Sequence, residues 1–404
     1  MKTHPDKIKT ALVMPGGGAR GAFQVGVLKA IAEILPRGCQ NPFPIISGTS
    51  AGAINSVVLA SKSKRFHIAV AELAHVWRNF ESNQVFRDDS WTMLKSSLHW
   101  MASIILGGAL VGTPRSLLNN VPLRRLLDSN IRFPLIEQAI RDGDLHALAV
   151  TAAGYGSARS TTFFQAASDT KEWTRKRRIG LRSRMDLDHL MASVAVPMIF
   201  SPVLIDGEYF GDGAMRQATP LSPAIHLGAD RILVVGIRDE TADPSPTPSQ
   251  PQTFPSLAHI AGYMLDTLFM DGLYSDLERI TRINQLVDSV PESDRSDALK
   301  QVRPIDTMVV LPSQDLRDIA YKHRKAMPVT LRALLRGISG KSHSANRLLS
   351  FLLFERQYTR ELIELGYKDA MAVREELEQF VRGGAVPRLI APSRVEYDLS
   401  GFDS

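Results

Sequence analysis

Three short stretches of this 404-residue chain hold residues whose types and spacing suit acyl transfer. Gly48-Thr49-Ser50-Ala51-Gly52 fits the G-x-S-x-G pattern of a nucleophile elbow. In that motif a sharp strand-to-helix turn lifts the serine hydroxyl above the sheet edge, and the flanking glycines allow close backbone packing. A helix starting behind Ser50 also aims its positive end at the hydroxyl, which favours an alkoxide and the oxyanion that follows. Gly16-Gly17-Gly18-Ala19-Arg20-Gly21 is the second stretch. Successive glycines free their backbone N–H groups to converge on one point, as a tetrahedral oxyanion requires. The same run satisfies the dinucleotide pattern G-x-G-x-x-G at Gly16, Gly18 and Gly21. However, the next strand ends in the Ser50 elbow and not in an acidic residue that would hold a ribose. The third stretch, Gly211-Asp212-Gly213-Ala214, follows a hairpin-like run from Pro202 to Phe210. Taken alone, its aspartate reads as a turn residue.

The elements that must position these motifs are legible around them. Ile8 to Met14 is an apolar, β-branched run, hence a strand, broken by Pro15 and the glycines. Phe23, Val27, Leu28, Ile31 and Leu35 then recur at helical spacing until Pro36 and Gly38 stop them. The unit repeats with a strand at Pro44–Ser47, the elbow, and a helix at Ile54–Ala60. Strand, tight turn and helix in succession predict a parallel sheet with crossover helices. Runs at Ala147–Ala153, Thr161–Ala166, Ile232–Ile237 and Thr307–Leu311 extend the sheet. Residues 66–140 read as mostly helical, an insertion over the sheet. Residues 241–255 carry five prolines and read as an extended linker. A helical period returns from Ile260 to Ile283, and 345–366 and 368–383 read as two more helices.

Composition narrows the class. A 44% hydrophobic and 22% charged chain is globular in character, and a net charge of +6 permits anionic partners without demanding them. Cys39 is the only cysteine, so internal disulfides and zinc sites built on cysteine pairs are excluded, and a reducing compartment is favoured. The N-terminus lacks the apolar run of a secretory signal, which makes a cytoplasmic location the expectation. Residues 96–114 form a 19-residue stretch without Asp, Glu, Lys or Arg. Two glycines and several Ser/Thr favour a buried helix, or a surface helix that touches lipid, over a membrane span. The basic run at 174–184, with Arg175, Lys176, Arg177, Arg178, Arg182 and Arg184, reads as a solvated loop. Its functional reading is contact with anionic lipid headgroups at a membrane periphery. No aromatic residues interleave it, so nucleic acid is not expected.

Taken together and in this order, the three motifs resemble the patatin-like phospholipase family. The connecting text is similar too: Ala192-Ser193-Val194-Ala195-Val196-Pro197, Phe200-Ser201-Pro202 and Thr219-Pro220-Leu221. The resemblance spans about residues 8–240. It implies a three-layer α/β/α fold with a central, mainly parallel sheet. It also implies a Ser–Asp dyad in place of a triad, with Ser50 as nucleophile and Asp212 as general base. Backbone N–H groups of Gly16, Gly17 and Gly18, with Ala51, would serve the oxyanion, and Gly48 and Gly52 would frame the elbow. The implied substrates are phospholipids or other fatty-acyl esters, cleaved through an acyl-enzyme with no metal or organic cofactor. Ala214 stands where the family most often has a second glycine after the aspartate, and the geometry survives if its φ is negative. The 241–256 linker and the helical region 257–404 lie outside the resemblance, and the run at 307–311 suggests that the latter returns a strand to the main sheet. Two alternatives stay open. One is a Ser-Asp-His triad using His226, His259, His323 or His343; the other is a non-enzymatic lipid-binding or regulatory protein on the same fold. A carboxylate acting directly as base must reach Ser50 and be partly desolvated, so that its pKa rises toward neutrality.

Overall fold

A computed structural model describes residues 8–87, 116–237, 257–300, 302–333, 345–384 and 389–390. The segment 96–114 and the linker 241–256 lie outside the described residues. The N-terminal half starts with the expected repeat: β1 (Thr10–Met14), α1 (Gly21–Ile34), β2 (Ile45–Thr49) and α2 (Ala51–Ser61). Helices α3 (Phe66–Arg78), α4 (Ser82–Val85), α5 (Val121–Asn130) and α6 (Pro134–Arg141) follow. Then come β3 (Ala147–Gly154), β4 (Ser160–Ala166), β5 (Trp173–Arg175), β6 (Arg178–Arg182) and α7 (Leu187–Ser193). The hairpin β7 (Val203–Ile205) and β8 (Glu208–Asp212) leads into α8 (Ser222–His226) and β9 (Arg231–Val235). The C-terminal part comprises α9 (Leu257–Ser289), α10 (Asp297–Lys300), β10 (Asp306–Val310), α11 (Leu316–Lys322), α12 (Ala345–Leu352), α13 (Arg356–Ala372), α14 (Arg374–Val381) and β11 (Leu389–Ile390).

The strands form one sheet in the order β11-β10-β9-β1-β2-β3-β4-β6-β5. From β11 to β3 every neighbouring pair is parallel. Such strands are covered on both faces and are apolar throughout, and every residue of β1, β2 and β9 is buried. Side chains alternate across the sheet as the pleat requires. Leu12 and Met14 of β1 enter the core under α1, α2 and α7, whereas Ala11 and Val13 enter the core under α8 and α9. Beyond β3 the sheet turns mixed. The basic stretch read as a solvated loop is instead the antiparallel pair β5–β6, with Trp173 stacked on Phe164 at 5.1 Å. Arginines interleaved with Trp173, Ile179 and Leu181 hid the alternation.

Register at β3 brings two strand ends together. On one edge, β2 accompanies β3 as far as the pair Thr49–Thr151. The other edge is filled by β4 through Ala152 and Ala153. Strand β8 pairs with Ala152, Ala153 and Gly154, so it takes up the first edge where β2 leaves off, and its last residue, Asp212, lies opposite Ala152. Strand β2 therefore ends against the end of β8.

The C-terminal helices are not peripheral to this core. A Cβ on Gly26 of α1 would lie 2.2 Å from the Ile363 carbonyl, and one on Gly366 of α13 would lie 2.2 Å from the Phe23 carbonyl. Each helix thus offers the other a glycine, and the backbones meet closely. The helical run is interrupted between α12 and α13, where the Ser82 hydroxyl donates to Glu355 Oε1 at 2.7 Å. Among the described residues no helix is long and apolar enough to cross a membrane.

Candidate active site

Ser50 occupies the turn from β2 to α2 with φ 53° and ψ −126°, a conformation strained for any residue but glycine. The two elbow glycines make the turn sterically feasible. A Cβ on Gly48 would lie 2.4 Å from the Gly52 carbonyl oxygen, and one on Gly52 would lie 2.0 Å from the Met14 carbonyl oxygen. The Ser50 N–H donates to Ser193 Oγ at 2.9 Å, and that hydroxyl donates to the Thr151 carbonyl at 2.7 Å. The elbow is thereby tied to α7 and β3. Thr49 Oγ1 donates to Gln217 Oε1 at 2.5 Å, and Gln217 Nε2 donates to Thr151 Oγ1 at 3.3 Å, so the loop after Asp212 is tied to β2 and β3.

Asp212 is buried at the end of β8. Its N–H donates to the Ala195 carbonyl at 2.8 Å, and its Oδ1 accepts from the Ala214 N–H at 2.9 Å. Ala214 is not among the residues of positive φ. The other oxygen, Oδ2, is buried without a fully formed hydrogen bond. The Ser50 hydroxyl is the side chain that addresses the carboxylate. Burial pushes the Asp212 pKa up to about 7, against the smaller opposing pull of Ser50 and the Ala214 N–H. A carboxyl held near neutrality can both take and return a proton at physiological pH.

Ser50 opens into a cavity of about 50 Å³ whose lining includes Ile54, Trp77, Leu123, Val196, Phe351 and Phe354. Gly18 and Ala51 line it as well. Among the described residues, neither of their N–H groups has a hydrogen-bond acceptor. Gly16 and Gly17 do not line the cavity; a Cβ on Gly17 would instead lie 2.0 Å from Ile237 Cδ1. Residues beyond 257 contribute part of the wall. Arg20, from the glycine motif, is buried, donates to Ser350 Oγ at 3.0 and 2.6 Å, and lies 3.9 Å from the Phe351 ring centroid. Nothing in the local sequence marked Gln217, Ser350 or Phe351 as members of this site, and Ser193 stood out only as part of the connecting text that resembles the family.

Two of the candidate triad histidines sit elsewhere. His226 stacks on Trp173 at 4.8 Å, and His323 pairs with Glu361 at 2.5 Å. The His259 side chain and His343 lie outside the described residues. Among the described residues no group of three or more His, Cys, Asp or Glu side chains gathers as a metal site would require. Beside the 214–219 loop, toward α9, is a second cleft of about 700 Å³, lined by Arg175, Lys176, Arg177, Arg178, Arg216 and Arg279.

A family model described as patatin-like phospholipase matches residues 12–225, more than half of the chain. A stretch of 60 residues is 45% identical to the patatin-like phospholipase domain-containing protein 7 of Rattus norvegicus, covering 15% of this chain and 4% of that protein. The Mus musculus counterpart is 50% identical over 52 residues, covering 13% and 4%. The chain therefore matches only a small part of the length of these curated relatives. Among solved structures, VipD from Legionella pneumophila aligns with a TM-score of 0.36 and 13% identity, covering 91% of this chain and 67% of that one. The ExoU–SpcU complex from the type III secretion system of Pseudomonas aeruginosa aligns with a TM-score of 0.25 and 17% identity, covering 85% and 74%.

Proposed function

The chain belongs to the patatin-like phospholipase family, and from that premise we propose that it is a serine hydrolase of lipid acyl esters, with Ser50 as nucleophile and Asp212 as general base. The observation that carries the reading is the meeting of β2 and β8 on one edge of β3, which sets Ser50 against a buried carboxyl whose pKa is about 7. In the first step Asp212 takes the hydroxyl proton as Ser50 Oγ bonds to the ester carbonyl carbon. The oxyanion is stabilised by the N–H groups of Gly18 and Ala51 and by the positive end of α2. Collapse breaks the ester C–O bond, and Asp212 returns the proton to the departing alcohol. Asp212 then deprotonates a water that attacks the acyl-Ser50 carbonyl; collapse breaks the bond to Ser50 Oγ, Asp212 returns the proton to that oxygen, and the fatty acid leaves.

An apolar pocket lining suits a fatty-acyl chain. The basic cleft beside the 214–219 loop supports a phospholipid as substrate and contact of 174–184 with an anionic lipid surface. The test is hydrolysis of p-nitrophenyl esters and of a fluorogenic phospholipid by wild type, Ser50→Ala and Asp212→Asn. Both variants should fold and lose at least about a thousandfold in kcat/KM. Retained activity in Asp212→Asn would reject the dyad and bring back a histidine base. An inert wild type would favour the lipid-binding alternative.

A further inference from the structure

The pocket at Ser50 is too small for the ligand that its lining suits. A volume of about 50 Å³ holds a few water molecules, whereas ligand sites commonly run to about 300 Å³ or more. Behind it lies a second cavity of about 500 Å³. Ile54, Trp77, Phe80 and Leu123 line both spaces, so a single layer of side chains divides them. Helix α2 floors the two together. Ser50, Ile54 and Val58 are four residues apart and share a helix face, spanning about 12 Å of axis. Val58 lines the far cavity, and both Ile54 and Val58 are only partly buried. Leu126, Leu127 and Ile131 of α5 and its following turn make the far lining apolar. Its Glu72 and His75 are exposed and stand at a solvent mouth.

The dividing side chains are held unequally. Trp77 Nε1 donates to Asn55 Oδ1 at 2.9 Å, and Asn55 Nδ2 donates onward to Gln24 Oε1 at 3.0 Å. The Phe80 ring packs against Trp77 at 5.1 Å and Phe354 at 5.6 Å. Ile54 is β-branched and stiff at χ1. Leu123 is unbranched at Cβ and has no polar anchor, so it is the freest of the four to change rotamer.

We propose that the far cavity receives the distal methylenes of a long fatty-acyl chain whose carbonyl sits at Ser50, and that Leu123 is the specificity-determining residue past which the chain threads. This inference rests on the acyl-hydrolase reading of Ser50. Its test compares kcat/KM for p-nitrophenyl esters from butyrate to palmitate in wild type, Leu123→Ala, Val58→Trp and Leu126→Trp. Leu123→Ala should raise the long-to-short ratio. Val58→Trp and Leu126→Trp should lower it by at least about tenfold, which is the cost of excluding two methylenes from an apolar site. Leu126 is partly exposed, so its replacement keeps the test open should Val58→Trp fail to fold. A second readout needs no turnover: Ser50→Ala should bind the fluorescent fatty acid cis-parinaric acid, and adding Leu126→Trp should abolish that binding. Ester hydrolysis that depends on Ser50, with a ratio indifferent to positions 58, 123 and 126, would overturn the chamber and leave the hydrolase. Fatty-acid binding blocked by Leu126→Trp in a protein that cleaves no ester would keep the chamber and overturn the hydrolase.

Discussion

Asp212 is a buried carboxyl with a backbone N–H and a serine hydroxyl for company, and this governs its response to pH. Its pKa of about 7 means that the basic form is gained as pH rises through neutrality, so kcat/KM should climb with a midpoint near 7. Stability should move the other way. Between the ordinary value of 3.8 and about 7 the folded protein holds a proton that the unfolded chain has released, so stability declines as pH rises through that window. Asp212→Asn removes the titration. Thermal melts between about pH 5 and about pH 8 should therefore show a wild-type Tm that falls while the variant's stays flatter, with the variant ahead at the alkaline end; parallel curves would contradict the assigned pKa. Ser50 was legible because it sits in a short motif with its own steric logic; Asp212, which alone reads as a turn residue, was picked out only by the resemblance. Ser193 was not legible as a tether. Its two bonding partners lie 143 and 42 residues away, and a serine in Ala-Ser-Val carries no local trace of them.

Among the elements, those that announce themselves are the ones bounded by punctuation. Strands β1 and β2 end in glycine turns, α1 ends before Pro36, and all lie within two or three residues of where periodicity puts them. The pair β5–β6 was illegible because Arg175, Arg178 and Arg182 share the face of buried Trp173, and their charge masks the alternation. The helix pair α1–α13 was illegible for another reason: a glycine in a helical run reads as a weakness until the opposing backbone is known. At Gly366 that opposing atom is the Phe23 carbonyl, 2.2 Å from where a Cβ would be. Gly366→Ala should therefore destabilise by about 1–3 kcal/mol, the usual range for overpacking, although alanine is the better helix former. Urea unfolding measures this directly, and an unchanged or raised midpoint would show that the seam can open without cost.

At the scale of the molecule, the family match ends at 225, yet the site does not. Strands β9 and β10 continue the parallel sheet, and α12 supplies Phe351 and Leu352 to the pocket at Ser50. A chain ended after residue 333 keeps Ser50 and Asp212 but loses the Ser350 anchor of Arg20 and the cover of α1. It should lose esterase activity and its cooperative thermal transition together; a truncated protein that melts sharply and retains turnover would make the C-terminal helices an accessory. The Arg20–Ser350 contact also has a consequence in time. Its partners are 330 residues apart, and a ribosome adding about 5–20 residues per second needs roughly 15–70 s to deliver the second after the first. For most of that interval the nascent chain owns its nucleophile but not its pocket, and the flank of its first helix that α13 will cover is bare. Until α13 arrives, that flank is apolar surface open to aggregation, to a chaperone or to a nearby bilayer.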